Sequence, residues 1–147
     1  MDVQEVLDAA IRKEKAAYEL YSRTAAESTA PGARTLLSEL AEQERQHREA
    51  LESLDAARLG AFEPALRQDL KIAEYLEDRP LDPDAGLQDI VIYAMHREEE
   101  ARDFYRRMAD SAPGAELREL FGKLAAMERS HKGRLEEFYE QRLMGDG

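Results

Sequence analysis

The sequence predicts an all-α fold, a four-helix bundle made of two duplicated helical hairpins joined by a long crossover with a short helix. Three observations predict it. Leu, Ala, Glu, Lys, Arg and Gln dominate, while the 8 glycines and 5 prolines gather at a few places, a composition that favours helix almost throughout. A constant offset of 84 residues carries Ala10 onto Ala94, Glu14 onto Glu98, Ala17 onto Ala101 and Tyr21 onto Tyr105. The same offset carries Leu36 onto Leu120, Leu40 onto Leu124, Glu44 onto Glu128, His47 onto His131 and Leu51 onto Leu135. Such self-similarity marks a repeated supersecondary unit. Finally, each copy contains two stretches with an apolar stripe spaced alternately by four and three residues, the pattern a bundle buries.

Breakers divide the chain. Helix 1 is expected from about Asp2 to Glu27, stopped before Ala30-Pro31-Gly32, and helix 2 from about Ala33 to Ala57. The next segment holds Gly60, Pro64, Pro80 and Pro83, with a short helix expected near Leu66–Leu76. Helix 3 is expected from about Ala85 to Ser111, stopped by Pro113-Gly114, and helix 4 from about Ala115 to Leu143. The 147 residues suit one domain with hairpin 1 over about 2–57, a crossover over about 58–84 and hairpin 2 over about 85–143. A connection of that length is too long for a tight turn and is expected to run back along the bundle.

Charge and composition narrow the function. A net charge of −11 argues against nucleic acid and anionic membrane as partners. The absence of cysteine excludes disulfides, thiolate catalysis and Cys-ligated metal within this chain. No apolar run approaches the ~20 residues that span a bilayer. The start, MDVQEVLDAA, is acidic and amphipathic, so a cytoplasmic location is expected.

The stripes contain the informative residues. They read Val3, Leu7, Ala10, Glu14, Ala17, Tyr21, Thr24 in helix 1 and Ala33, Leu37, Leu40, Glu44, His47, Leu51, Leu54 in helix 2. In helix 3 they read Leu87, Val91, Ala94, Glu98, Ala101, Tyr105, Met108, and in helix 4 Leu117, Phe121, Leu124, Glu128, His131, Leu135, Phe138. Each stripe is interrupted at its centre by Glu or by Glu-x-x-His. Residues i and i+3 differ by about 60° around a helix, so each Glu and its His share a face. Glu14 and Glu44 are equidistant from Thr29, and Glu98 and Glu128 from Pro113. In antiparallel hairpins the six residues should therefore meet in one layer, with Ala10, Ala17, Ala94 and Ala101 leaving it room.

A solvated face does not explain these glutamates, because they occupy the stripe. A buried ion pair is disfavoured because no stripe position carries Lys or Arg. Four buried carboxylates without cations would cost many kcal/mol or force some to protonate, whereas two divalent cations would neutralise them. The bland alternative is a purely structural polar layer. Carboxylates and imidazoles without thiolate suit iron or manganese, with zinc as a substitute. One Glu from each of two helices and Glu-x-x-His from each of two others is the ligand set already described for ferritin-like di-iron bundles. His96 lies off the stripe, opposite Arg12 in the repeat, and reads as a surface residue. Tyr21 and Tyr105 lie two turns from Glu14 and Glu98 on the same face; they are either core packing or partners of a ligand carboxylate across the bundle.

The chain also resembles the rubrerythrin branch of the ferritin-like superfamily, without the rubredoxin-like domain. The resemblance rests on Ala10-Ile11-x-x-Glu14-x-x-Ala17-x-x-Leu20-Tyr21, on its copy from Ala94 to Tyr105, and on the two Glu-x-x-His helices. It implies two iron ions bridged by Glu44 and Glu128, with His47 and His131 each capping one and Glu14 and Glu98 as outer carboxylates. It further implies reduction of hydrogen peroxide or oxidation of Fe2+ by O2, and pairing as a homodimer. Two departures qualify it. Rubrerythrin proper has a four-cysteine iron domain, so here electrons should come from an external donor protein, rubredoxin-like or flavin-dependent. It also has a further carboxylate three residues after the helix 3 ligand, where this chain has Ala101.

The expected function is peroxide reduction at a di-iron centre, with a ferroxidase or iron-handling role as the alternative and a metal-stabilised structural bundle as a third reading. A dimer is also expected from the residues themselves. Ile90 to Met95 is apolar all round, and Ile11, Tyr18 and Leu20 lie off the helix 1 stripe, more than Ile72, Tyr75 and Leu76 of the crossover should cover.

Overall fold

Asp2 starts the first helix by accepting a hydrogen bond from the Glu5 N–H at 2.8 Å, the usual work of an N-cap carboxylate. In the computed structural model, which describes residues 2–60, 62 and 70–143, α1 then runs Val3–Glu27 and α2 Ala33–Glu52. Two short helices follow, α3 Ala56–Leu59 and α4 Leu70–Leu76, before α5 Leu87–Asp110 and α6 Ala115–Phe138. No strand occurs among the described residues. Between α1 and α2 the chain turns at Gly32, whose φ of +80° is the left-handed conformation that glycine adopts without strain.

The fold is the expected all-α ferritin-like bundle, and its boundaries correct the sequence reading in two places, the ends of helices 2 and 4. Helix 2 does not reach Ala57. It stops at Glu52, and the Asp55 carboxylate captures the Arg58 N–H at 2.8 Å and begins α3 separately. Serine and aspartate side chains compete in this way with a continuing helix. Of the short helix expected at Leu66–Leu76, Leu70–Leu76 is observed and the remainder lies outside the described residues. Helix 4 reaches Leu143, but its last turn, Tyr139–Leu143, is wound as π-helix.

Every stripe residue is buried except Leu87, which is half-buried at the start of α5. The core forms two apolar clusters. One joins the start of α1 and the end of α2 to the end of α5 and the start of α6 (Leu7, Leu51, Phe104 and Phe121 among its members). The other joins the opposite ends, with Leu20, Leu37, Val91 and Phe138. α1 is therefore antiparallel to α5 as well as to α2, and the chain must cross the length of the bundle between α2 and α5. Tyr75 of α4 is buried in that crossing and stacks on Phe104 with centroids 4.5 Å apart. Between the two clusters lies a polar layer.

Candidate metal centre

Four helices each bring one glutamate to that layer, and α2 and α6 each add a histidine one turn further on. Glu14, Glu44, Glu98 and Glu128 are fully buried, and His47 and His131 nearly so. Ala10, Ala17, Ala94 and Ala101 are equally buried around them, and their small side chains leave the carboxylates space. The structure thus brings together all six residues singled out in the sequence.

They form two overlapping groups whose potential ligand atoms lie within 4.8 Å of one another. Glu14, Glu44, His47 and Glu128 make one group; Glu44, Glu98, Glu128 and His131 make the other. Glu44 and Glu128 belong to both. His47 Nδ1 lies 2.9 Å from Glu128 Oε1, and His131 Nδ1 lies 3.0 Å from Glu44 Oε1, so each histidine faces the glutamate of the opposite hairpin. The two imidazoles stack with centroids 5.7 Å apart.

The tyrosines cross the bundle. The Tyr21 hydroxyl donates to Glu98 Oε1 at 2.5 Å, and the Tyr105 hydroxyl donates to Glu14 Oε1. The exchange follows from the repeat: α1 and α5 are antiparallel, so the tyrosine of each copy reaches the glutamate of the other. Burial, and then the facing carboxylate, push both phenols well above their ordinary range, which keeps them as proton donors in these bonds.

Two residues of the site carried no sequence signal strong enough to select them. Gln43 Oε1 pairs with His131 Nε2, which turns Nδ1 towards the carboxylates. Its repeat counterpart is Met127, and His47 Nε2 has no hydrogen-bond partner.

Arg97 is the larger omission. No stripe position carries a cation, yet Arg97, one residue before Glu98, folds its guanidinium into the layer. Its Nη1 donates to Glu98 Oε1 at 3.0 Å and to Glu128 Oε2 at 3.5 Å. Its Nη2 donates to Glu44 Oε2 at 3.1 Å and lies 3.6 Å from Glu14 Oε1. The expectation of a cage without a cation is corrected here: a long arginine can enter from beside the stripe because its apolar stem lies along the helix surface.

The charges in the cage are unequal. Burial, followed by Glu128 and Glu98, pushes the Glu44 carboxyl up to about 7. Burial and neighbouring carboxylates hold Glu14 and Glu128 well above the ordinary range too. Glu98 goes the other way, to about 2, because Arg97 and then His131 outweigh its desolvation. His131, desolvated but beside Glu44 and Glu98, is raised to about 10.

One arginine does not satisfy four carboxylates. Glu14 Oε2 and Glu98 Oε2 are buried without a hydrogen-bond partner, while Glu128 Oε1 and Glu44 Oε1 meet only the His47 and His131 Nδ1 atoms, at 2.9 and 3.0 Å. Buried polar atoms are nearly always paired, and carboxylate and imidazole atoms turned towards one another in this way form a donor set suited to divalent cations. The residues present therefore fit a pair of divalent metals.

Comparison with known families places this architecture. The family model described as Rubrerythrin matches residues 1–80 and 89–145. No curated protein and no solved structure matches the chain.

Proposed function

The chain belongs to the rubrerythrin family, and from that premise we propose that it is a non-haem di-iron redox protein that reduces hydrogen peroxide with electrons from another protein. The observation that carries the proposal is the sharing of Glu44 and Glu128 between two four-residue donor groups. Two metals held there would have two carboxylates in common, with one histidine and one outer glutamate for each.

In this reading His47, Glu14, Glu44 and Glu128 would hold one iron, and His131, Glu98, Glu44 and Glu128 would hold the other; manganese or zinc would fit the same donors. Two ferrous ions there would supply the two electrons that cleave an O–O bond, one from each metal. The chain's own residues fix the geometry. Tyr21 and Tyr105 tie each outer glutamate to the opposite hairpin, and Gln43 orients the His131 ring. The apolar clusters at both ends keep bulk water out of the layer. The chain contains no cysteine, which supports an external rubredoxin-like or flavin-dependent electron donor. No helix among the described residues is long and apolar enough to cross a membrane.

Stopped-flow absorption of the diferrous protein tests the reaction. Oxidation much faster with peroxide than with O2 is the expected result. Rapid O2 consumption with several Fe2+ oxidised per site would instead establish the alternative, a ferroxidase or iron-handling protein. Oxidation by neither would leave a metal-stabilised structural bundle and overturn the redox reading.

A further inference from the structure

The four carboxylates of the layer each divide their oxygens between two sides. Glu14 Oε2, Glu44 Oε1, Glu98 Oε2 and Glu128 Oε1 face the histidines. The other four oxygens, Glu14 Oε1, Glu44 Oε2, Glu98 Oε1 and Glu128 Oε2, lie 3.0–3.6 Å from the Arg97 guanidinium. Arg97 thus covers the face of the cage opposite His47 and His131.

That face has an outside. A cavity of about 1010 Å³ lies between α1, the crossover and α5, and Lys13, Tyr75, Tyr93, Arg97 and Glu100 are among its walls. None of the six candidate ligands lines it. Among the described residues Arg97 is therefore the charged side chain shared by the cavity and the cage, and it stands as a partition between them. Glu100, three residues on and on the same face of α5, is half-buried at the cavity wall beside Arg79.

We propose that Arg97 is a tethered internal counter-ion that holds the carboxylate cage until divalent metal enters, and then swings out into the cavity towards Glu100. The inference rests on the two-metal reading of the site given above. A carboxylate that bridges two metals with both oxygens needs its second oxygen, and in Glu44 and Glu128 that oxygen accepts from Arg97. Two-oxygen bridging and the arginine contacts compete for the same lone pairs. A guanidinium left among two divalent ions would also face like charge at short range in a poorly screened interior. Rotation about the arginine stem relieves both conflicts without moving a helix, because the cavity already offers volume and a carboxylate on its outer side. The repeat counterpart of Arg97 is Lys13, whose Nζ instead bonds the Glu77 carbonyl on the crossover. Only one of the two equivalent positions supplies the internal cation.

Two measurements with Zn2+, a redox-silent diamagnetic probe, test the proposal. In the wild-type protein, the Arg97 Nε–Hε signal in a 15N-correlated NMR spectrum, assigned by its absence in Arg97→Lys, should be protected before Zn2+ is added. It should shift and lose that protection once two Zn2+ are bound. Removing the competitor in Arg97→Gln should tighten Zn2+ binding in a chelator-competition assay by about tenfold and lower the Tm of the metal-stripped protein. An Arg97 signal unmoved by two bound Zn2+ would overturn the proposal while leaving the two-metal site intact. So would unchanged or weaker binding by Arg97→Gln with a stripped form that still folds. If Arg97→Gln folds only with metal, the wild-type NMR titration decides alone. Failure of the wild-type protein to bind Zn2+ at all would overturn the two-metal reading and this inference together.

Discussion

Glu44 and Glu128 matter most among the residues because each stands within reach of both histidines. Their place was legible in the sequence: a charged residue at the centre of a four-three stripe, repeated with the same offset, has to be buried. Arg97 was not legible. It lies about 100° around the helix from Glu98, outside any periodic pattern, and only the length of its stem brings the fork inside. Gln43 was missed for a similar reason, since glutamine beside a stripe usually faces solvent. The protonation of these residues sets a pH dependence with a definite sign. Glu14, Glu44 and Glu128 have folded values above the ordinary carboxylate value of 4.5. Their contribution to stability is full below about 4.5 and is lost as pH rises through the folded value, about 7 for Glu44. The contribution of His131 is full below its ordinary 6.5 and is lost as pH rises through about 10. Glu98, lowered to about 2, stabilises the fold at all pH values above 4.5 and is constant over the range of interest. The metal-stripped protein should therefore lose stability between about pH 5 and 8, on the order of 1 kcal/mol per pH unit for each proton retained on folding. Metal competes with those same protons, so the loaded protein should gain stability over that range. A stripped protein whose Tm climbs from pH 5 to 8 would contradict these assignments.

At the scale of the elements, the long helices were readable because composition and stripe agree along their whole length, about six turns of apolar spacing in each. The break after Glu52 was not, because the apolar spacing continues to Leu54, which is buried as expected; only the local competition of Ser53 and Asp55 ends the helix. The π-wound end of helix 4 has no sequence signature in this chain. The apolar surfaces of α1 and α5 give the next prediction. The crossover does cover part of them, since Ile72 and Tyr75 are buried and α4 packs on both helices. Leu20 is buried too, but Ile11, Tyr18, Ile90, Ile92 and Met95 remain only half-buried. Apolar surface of this kind on α1 and α5 suits a second copy of the chain. Light scattering at tens of micromolar should give twice the 16.7 kDa chain mass. A monomer mass there would show that α4 and the crossover suffice to shield the strip.

For the whole molecule, duplication explains why the site exists at mid-bundle and why it needs both hairpins. One hairpin supplies one bare glutamate and one Glu-x-x-His, three members of one donor group and one of the other; the packing of α2 on α6 and the tyrosine–glutamate bonds between α1 and α5 bring the two sets together. That much followed from the constant offset in the sequence. The asymmetry laid over the repeat did not follow: Arg97 against Lys13, and Gln43 against Met127, distinguish two halves that the stripe makes look alike. Because Glu44 and Glu128 are assigned to both metals, the account is tested most directly by counting metal in three proteins: the wild type, Glu44→Ala and Glu128→Ala. After anaerobic loading with Fe2+ and removal of loosely bound metal, the wild-type chain should hold about two irons. Each variant should lose both together, with no stable one-iron form. Retention of two irons by either variant would contradict the shared-carboxylate centre.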